Sequence, residues 1–323
     1  MEATELPIFR DQLLDRRQKL EAAAAGPIPE VARLLQEVDA ALGRLEAGTY
    51  GLCEACGDPV ETSRLLADPL IRVCLDHLTR SEQRALEQDL ELASNIQREL
   101  LPKRDAPLDG WSVAYRYQPA GPVSGDYCDL IPGNAGETYF LIGDVAGKGV
   151  AAAMLMSHLS AMLRTLISIG LPLDQLMERA SRVFCESTLP AHYATLVCGR
   201  AHPSGDVEIC NAGHPPPLVI GADGVTRIHA TGLPIGLFCS EQFSSHTVRV
   251  SPGDSLLLYT DGVIEARNPA GAEYGMARLC ALAASVADMP PAALVDALVR
   301  DVAAFRGAPP LQDDVTMMAV RRL

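Results

Sequence analysis

Apolar residues near the start of the chain recur at helical intervals. Val31, Leu35, Val38, Leu42 and Leu45 alternate steps of four and three, the spacing of a heptad seam. Leu13, Leu20 and Ala24 form a weaker face upstream, and Gly26-Pro27-Ile28-Pro29 breaks helical continuation between the two stretches. The pattern predicts a short antiparallel helical hairpin from about Leu6 to Glu46. Ser81 to Leu101 then runs without glycine or proline, with Leu86, Leu90, Ala93, Ile96 and Leu100 at helical spacing, and Pro102 ends it. That helix is too apolar on one face to stand alone, so it is expected to pack on a second copy or on flanking domains.

From Trp111 the texture changes to short apolar runs bounded by glycine, proline and aspartate. Trp111–Tyr117, Tyr139–Ile142, Ala194–Cys198, Val207–Cys210, Ser255–Tyr259 and Val315–Val320 read as strands. Helices are interleaved at about Val150–Ser168, Leu173–Ser187, Ala277–Val286 and Ala292–Phe305. The middle strands lie too close together for helical crossovers. Antiparallel sheets with helices packed outside, an α+β sandwich, are therefore expected.

Composition narrows the functions. With 323 residues, 48% hydrophobic and 21% charged, the chain suits one sizeable globular core plus an accessory module. No uninterrupted apolar run reaches the ~20 residues of a bilayer crossing. Met1-Glu2-Ala3-Thr4-Glu5 lacks the basic start of a secretion signal, so a cytoplasmic location is expected. A net charge of −14 repels nucleic acid and anionic lipid, and neither is expected as a partner. An acidic chain that handles phosphate must neutralise its own field locally, and bound divalent cations do that.

The nine cysteines are an odd number, three of them clustered early and six scattered. This reads as one metal site plus buried, reduced thiols rather than a disulfide framework, with Cys128, Cys185, Cys198, Cys210, Cys239 and Cys280 as core fillers. Cys53-x2-Cys56-x17-Cys74-x2-His77 has the spacing of two knuckles closing a tetrahedron around one structural Zn2+. Such a site contributes folding free energy to a segment with little core of its own. The stretch GTYGLCEACGDPVETSRLLADPLIRVCLDH, Gly48 to His77, resembles the DksA/TraR zinc finger. His77 stands where that family usually has a fourth cysteine, so a Cys3His site is expected. The hairpin tip, Ala22–Pro29, lacks the acidic residues of the longer family members. The module therefore reads as a sensor, dimerisation or docking element.

Four aspartate motifs follow: SGDYCD at Ser124–Asp129, GDVAGKG at Gly143–Gly149, YTDGV at Tyr259–Val263, and QDDVT at Gln312–Thr316. One aspartate at a strand end is ordinarily a turn residue. Four that converge would make an all-oxygen cage for Mg2+ or Mn2+. The order GDYCD, GDVAGKG, NAGHPPP, GLPIGL, YTDGVIEA, DDVT resembles the SpoIIE/RsbU branch of the metal-dependent (PPM) protein phosphatases, over about Ala93 to Leu323. Ile96-Gln97-Arg98-Glu99-Leu100-Leu101-Pro102 resembles the linker helix that enters that domain.

The resemblance implies a pair of antiparallel sheets flanked by helices and two Mn2+ or Mg2+ ions. Asp144 would bridge them with the Val145 carbonyl as a further ligand, Asp261 would bridge or bind metal 1, and Asp313 would complete metal 1. Asp126 would bind metal 2 or hold a metal-bound water. Asp129 and Asp314 either orient a ligand or serve as turn residues. Metal-activated water would then hydrolyse phosphoserine or phosphothreonine, with a STAS-type anti-sigma factor antagonist as the implied substrate. Eukaryotic relatives carry a histidine where this chain has Ala146, which leaves the general acid open. His214 is one candidate and, alternatively, a turn histidine. Lys148 either approaches substrate phosphate or is a solvated residue opening a helix.

The expected organisation is a hairpin over 1–47, a zinc finger over 48–80, a linker and homodimerisation helix over 81–103, and a phosphatase domain over 104–323. The rival reading is a DksA/TraR-type transcription regulator, or a phosphoprotein-binding scaffold, with an inactive phosphatase domain.

Overall fold

The computed structural model describes residues 6–23, 29–102, 108–134, 136–189, 192–222 and 224–323. It divides into two compact units, Met1–Asp89 and Leu90–Leu323.

In the first unit, α1 (Leu6–Ala23) and α2 (Pro29–Glu46) pack on each other, and residues 24–28 of the expected tip, Ala22–Pro29, lie outside the described residues. The seam of α2 meets α1 at Phe9 and Leu13, both fully buried with Val38 and Ala41. Phe9, which the spacing argument did not single out, stacks at a tilt on Tyr50, 5.6 Å between ring centres. Tyr50 Oη donates to the Pro69 carbonyl, so the loop segment is fastened to the same core. After a short helix α3 (Thr62–Ala67) and one 3-10 turn (Leu75–His77), α4 (Arg80–Leu100) begins. A capping box fixes its start: the Glu82 amide donates to Thr79 Oγ1 and the Thr79 amide donates to Glu82 Oε2.

The second unit stacks two five-stranded antiparallel sheets. Its strands are β1 (Trp111–Gln118), β2 (Asp126–Pro132), β3 (Thr138–Val145), β4 (Ala194–Ala201), β5 (Asp206–Ala212), β6 (Leu218–Gly221), β7 (Gly224–Arg227), β8 (His246–Arg249), β9 (Ser255–Tyr259) and β10 (Val315–Arg322). One sheet runs β1-β10-β9-β6-β7 and the other β2-β3-β4-β5-β8. Alternation sends Cys128, Phe140, Ile142 and Val197 of one sheet against Leu256, Leu258, Met318 and Val320 of the other. Helices α5 (Gly149–Ile169) and α6 (Leu173–Ser187) cover the outer face of the second sheet. Helices α8 (Gly275–Ser285) and α9 (Pro291–Arg306) cover the first, and a one-turn helix α7 (Asp261–Ile264) follows β9.

The α+β sandwich flanked by helices is the expected class. Strand β2 escaped the sequence reading because its buried positions include Asp126 and Asp129, which break the apolar pattern. Helix α5, 21 residues with mean hydropathy 1.5, is long and apolar enough to cross a bilayer. It qualifies the expectation that no segment is, yet Met156, Leu159, Leu163 and Ile167 bury one face of it in the core. The cysteine expectation is corrected too. Cys128, Cys198 and Cys210 are buried thiols, but Cys185 and Cys239 form a disulfide with Cα atoms 5.4 Å apart. Cys239 is exposed, so that pair are not core fillers, whereas Cys280, half-buried, packs against the core under α8 and α9.

Candidate metal centres and active site

Strand pairing brings the aspartates together. On the β2–β3 ladder Asp126 lies directly opposite Asp144. On the other sheet Tyr259 pairs with Met317, so Asp261, just past β9, and Asp313, just before β10, emerge at one end. The sheets are joined at this end by Asp126. Its Oδ2 accepts hydrogen bonds from Thr260 Oγ1 (2.9 Å), just past β9, and from Thr316 Oγ1 (2.5 Å) on β10 of the opposite sheet.

Asp314 organises the approach. It accepts from the Ala120 amide (2.7 Å), Ser124 Oγ (2.7 Å) and the Gly125 amide (3.1 Å), folding the 120–125 turn onto the site. Ser124 Oγ in turn accepts from the Asp126 amide. The Ser124 backbone is gripped by Gln97 of α4, whose Nε2 donates to its carbonyl (2.6 Å) while Oε1 accepts from its amide (3.0 Å). Two glycines permit the close approach. A Cβ on Gly262 would sit 2.0 Å from the Asp314 carbonyl, and one on Gly125 would sit 3.0 Å from the Val145 carbonyl.

The carboxylates repel one another, Asp126 buried, Asp144 and Asp261 half-buried and Asp313 exposed at the rim. Burial, then Asp261, Asp313 and Asp314, push the Asp144 carboxyl up to about 7. Burial and then Asp144 raise Asp126 well above the carboxylate range, and burial followed by Asp313 raises Asp261. One cation meets this charge: Lys148 Nζ donates to Asp313 Oδ2 and to the Gln312 carbonyl, each at 3.0 Å. Lys148 is thus tied to the acidic cluster rather than merely solvated. A set of oxygen donors destabilised by its own charge fits hard divalent cations.

Asp129 does not join. Fully buried, it accepts from Tyr127 Oη and from two nitrogens of Arg164 at 2.7 and 2.8 Å, an ion pair on the helix side of β2. His214 lies beside Thr195 of β4, the residue paired with Asp144. It is buried, its Nδ1 shares a hydrogen bond with Thr195 Oγ1 at 2.8 Å, and burial pulls its pKa down to about 3. The Asn211 side chain bridges the His214 amide and carbonyl, which fits the turn reading of this residue. Thr260, Thr316, Ser124 and Gln97 went unread. The first three sit beside the aspartates in the TD, DDVT and SGDYCD motifs, a usable signal, and Gln97 lies in the linker-helix stretch Ile96–Pro102, which does not reveal that its side chain reaches Ser124.

In the first unit Cys53, Cys56, Cys74 and His77 place one ligand atom each within 4.8 Å of the others. Cys56 and Cys74 sulfurs are 3.8 Å apart, and Cys74 Sγ lies 3.2 Å from His77 Nδ1. A hydrogen bond from the Cys74 backbone holds the Cys53 thiol down at about 6, which favours thiolate. Three sulfurs and an imidazole nitrogen fit Zn2+. Among the described residues the acidic cluster is wider than this group.

A four-layer sandwich with an acidic cleft at one end of its two sheets defines the PP2C class of folds. The family profile described as "Stage II sporulation protein E (SpoIIE)" matches residues 134–323, and the chain belongs to that family. A second profile, the prokaryotic dksA/traR C4-type zinc finger, matches residues 48–83 and leaves the helical hairpin uncovered. Protein IcfG of Synechocystis is 29% identical over 266 residues, 72% of this chain and 41% of that protein. Phosphoserine phosphatase RsbU of Bacillus subtilis is 25% identical over 61% of this chain and 59% of its own length. The chain therefore spans roughly half the length of these relatives. The crystal structure of the RsbU and RsbW domains of a Mycobacterium tuberculosis protein is 31% identical, with TM-score 0.59 over 67% of this chain and 62% of that one. The SiaA PP2C domain of Pseudomonas aeruginosa, 21% identical, shares the fold with TM-score 0.66 over 75% of this chain and 98% of that one.

Proposed function

We propose that the protein is a cytoplasmic phosphoprotein serine/threonine phosphatase. Its substrate is a phosphorylated regulator of the STAS type, hydrolysed at two Mn2+ or Mg2+ ions. The observation that carries this is the convergence of Asp144 with Asp261 and Asp313: burial first, and then their negative charge, raise Asp144 to about 7. Asp144, the Val145 carbonyl, Asp261 and Asp313 are the proposed ligands. Asp126, held by two threonine hydroxyls, is a further ligand or fixes a water.

When bound, divalent cations lower the pKa of water and offset charge on phosphoryl oxygens. The chain's own groups do the rest. Asp314 and Gln97 hold the 120–125 turn, and Asp126 ties β2 to β9 and β10. Lys148 supplies positive charge at Asp313 before cations arrive. Cys53, Cys56, Cys74 and His77 hold one structural Zn2+ in a finger over 48–80, preceded by a hairpin over 1–47. A linker helix over 81–103, through which two chains dimerise, leads to the phosphatase domain over 104–323.

Manganese-dependent release of phosphate from p-nitrophenyl phosphate and from a phosphoserine STAS protein tests the reading. Asp144→Asn and Asp261→Asn should abolish both while the thermal transition persists. Wild-type protein inert on both substrates in Mn2+ would favour the regulator or scaffold reading instead.

A further inference from the structure

Beside the acidic cluster opens a cleft of about 440 Å3 whose lining includes Lys148, Asp313, Arg267 and Arg306. Two of its three cations are engaged. Lys148 pairs with Asp313 at 3.0 Å and Arg267 with Glu273 at 2.7 Å. Arg306 has neither a hydrogen bond nor an ion pair among the described residues, and its Nε is enclosed without an acceptor. Its guanidinium borders the cleft with no carboxylate paired to it, so donors remain open to an acceptor that enters. The placement is built rather than incidental. Arg306 closes α9, Gly307 turns the chain at φ 75°, and Pro309 and Pro310 carry the cleft wall on to Asp313.

Resting on the phosphatase reading above, we infer that Arg306 is a specificity determinant that binds an acidic side chain flanking the phosphorylated residue of the substrate. The guanidinium fork matches a carboxylate with two parallel hydrogen bonds, and neither lysine nor a neutral donor reproduces that geometry. The cleft runs from Asp313 to Arg306, so a polypeptide with its phosphoryl group at the acidic cluster lays its neighbouring residues along this wall. Glu265, also in the lining, follows Asp261 by one helical turn, and its charge adds to the cluster that cations neutralise. An acidic flanking residue is otherwise disfavoured by a chain of net charge −14, so a dedicated unpaired cation decides selectivity.

The experiment compares phosphoserine peptides that carry glutamate, alanine or lysine at the positions flanking phosphoserine, using the full chain with Mn2+, with p-nitrophenyl phosphate as a sequence-free substrate. Wild type should show kcat/KM about tenfold higher for the glutamate than for the alanine peptide, the size of one charge-assisted contact. The difference should reside in KM. Arg306→Ala should bring that ratio near one, and Arg306→Glu should favour the lysine peptide. A wild-type ratio near one, or an Arg306→Ala ratio equal to wild type, overturns the inference. Failure to hydrolyse p-nitrophenyl phosphate would instead defeat the phosphatase reading, so the two failures are distinguishable.

Discussion

Asp144 carries the largest consequence of any single side chain. Its carboxyl sits at about 7 in the folded, metal-free protein against an ordinary value of 3.8. A raised folded pKa means that the native state binds the proton more tightly than the unfolded chain. That contribution is complete below about pH 4 and is lost as pH rises through about 7. The melting temperature of metal-free protein should therefore fall across this window. Mn2+ should raise it more at the alkaline end, where the carboxylates are charged, and calorimetry at several pH values with and without Mn2+ measures both. A Mn2+ stabilisation equal at both ends would count against Asp144 as a ligand. Asp129 is the opposite case, a buried carboxylate satisfied by Arg164 and Tyr127. Arg164→Ala leaves that charge without its cation, at a cost of roughly 3 kcal/mol. Denaturant unfolding should register the loss with little change in Mn2+ affinity, since Asp129 lies outside the acidic cluster.

At the scale of elements, the long periodic segments were legible and the short ones were not. The helix reading at Leu173–Ser187 matches α6 end to end because it carries one clear helical period, and the strand reading at Ser255–Tyr259 matches β9 because turn residues bound a continuous buried apolar run. Strands β6, β7 and β8 are four residues each, too short to show alternation, and β2 hides its alternation behind buried aspartates. The acidic motifs were visible as motifs. Their convergence was not, because it depends on which strand ends meet, a property of pairing between distant segments. Gln97 illustrates this: it lies on α4, 27 residues from the Ser124 backbone it clamps. Gln97→Ala strands a buried amide and carbonyl, costing about 2 kcal/mol and loosening the turn that Asp314 holds. A lower thermal transition, together with a higher Mn2+ concentration for half-maximal activity, is the expected pair of readouts. Gly262→Ala acts on the same loop from the other side. Its Cβ would overlap the Asp314 carbonyl, 2.0 Å away, so Asp313 must shift and Mn2+ binding by titration should weaken.

The whole molecule holds two cores that share no residue. Phe9, Leu13, Val38, Ala41, Tyr50 and Leu65 cluster with Cys53 and Cys74, whereas the sandwich clusters draw only on residues from Leu101 onward. In the first unit the candidate zinc ligands are themselves part of the hydrophobic cluster, so metal and core are coupled. Removing Zn2+ leaves three sulfurs and an imidazole without their common partner in a unit of only about ninety residues. The sandwich buries far more apolar surface and draws on a different class of ion, oxygen-bound and exchangeable. A zinc-selective chelator should therefore lower or abolish one calorimetric transition while leaving the other in place. Mn2+ should shift the second without restoring the first. Cys74→Ser should reproduce the chelator's effect, and the Cys185–Cys239 disulfide, confined to the second unit, should leave the zinc-dependent transition unmoved on reduction. Coincident loss of both transitions on zinc removal would show that the two cores fold as one cooperative block.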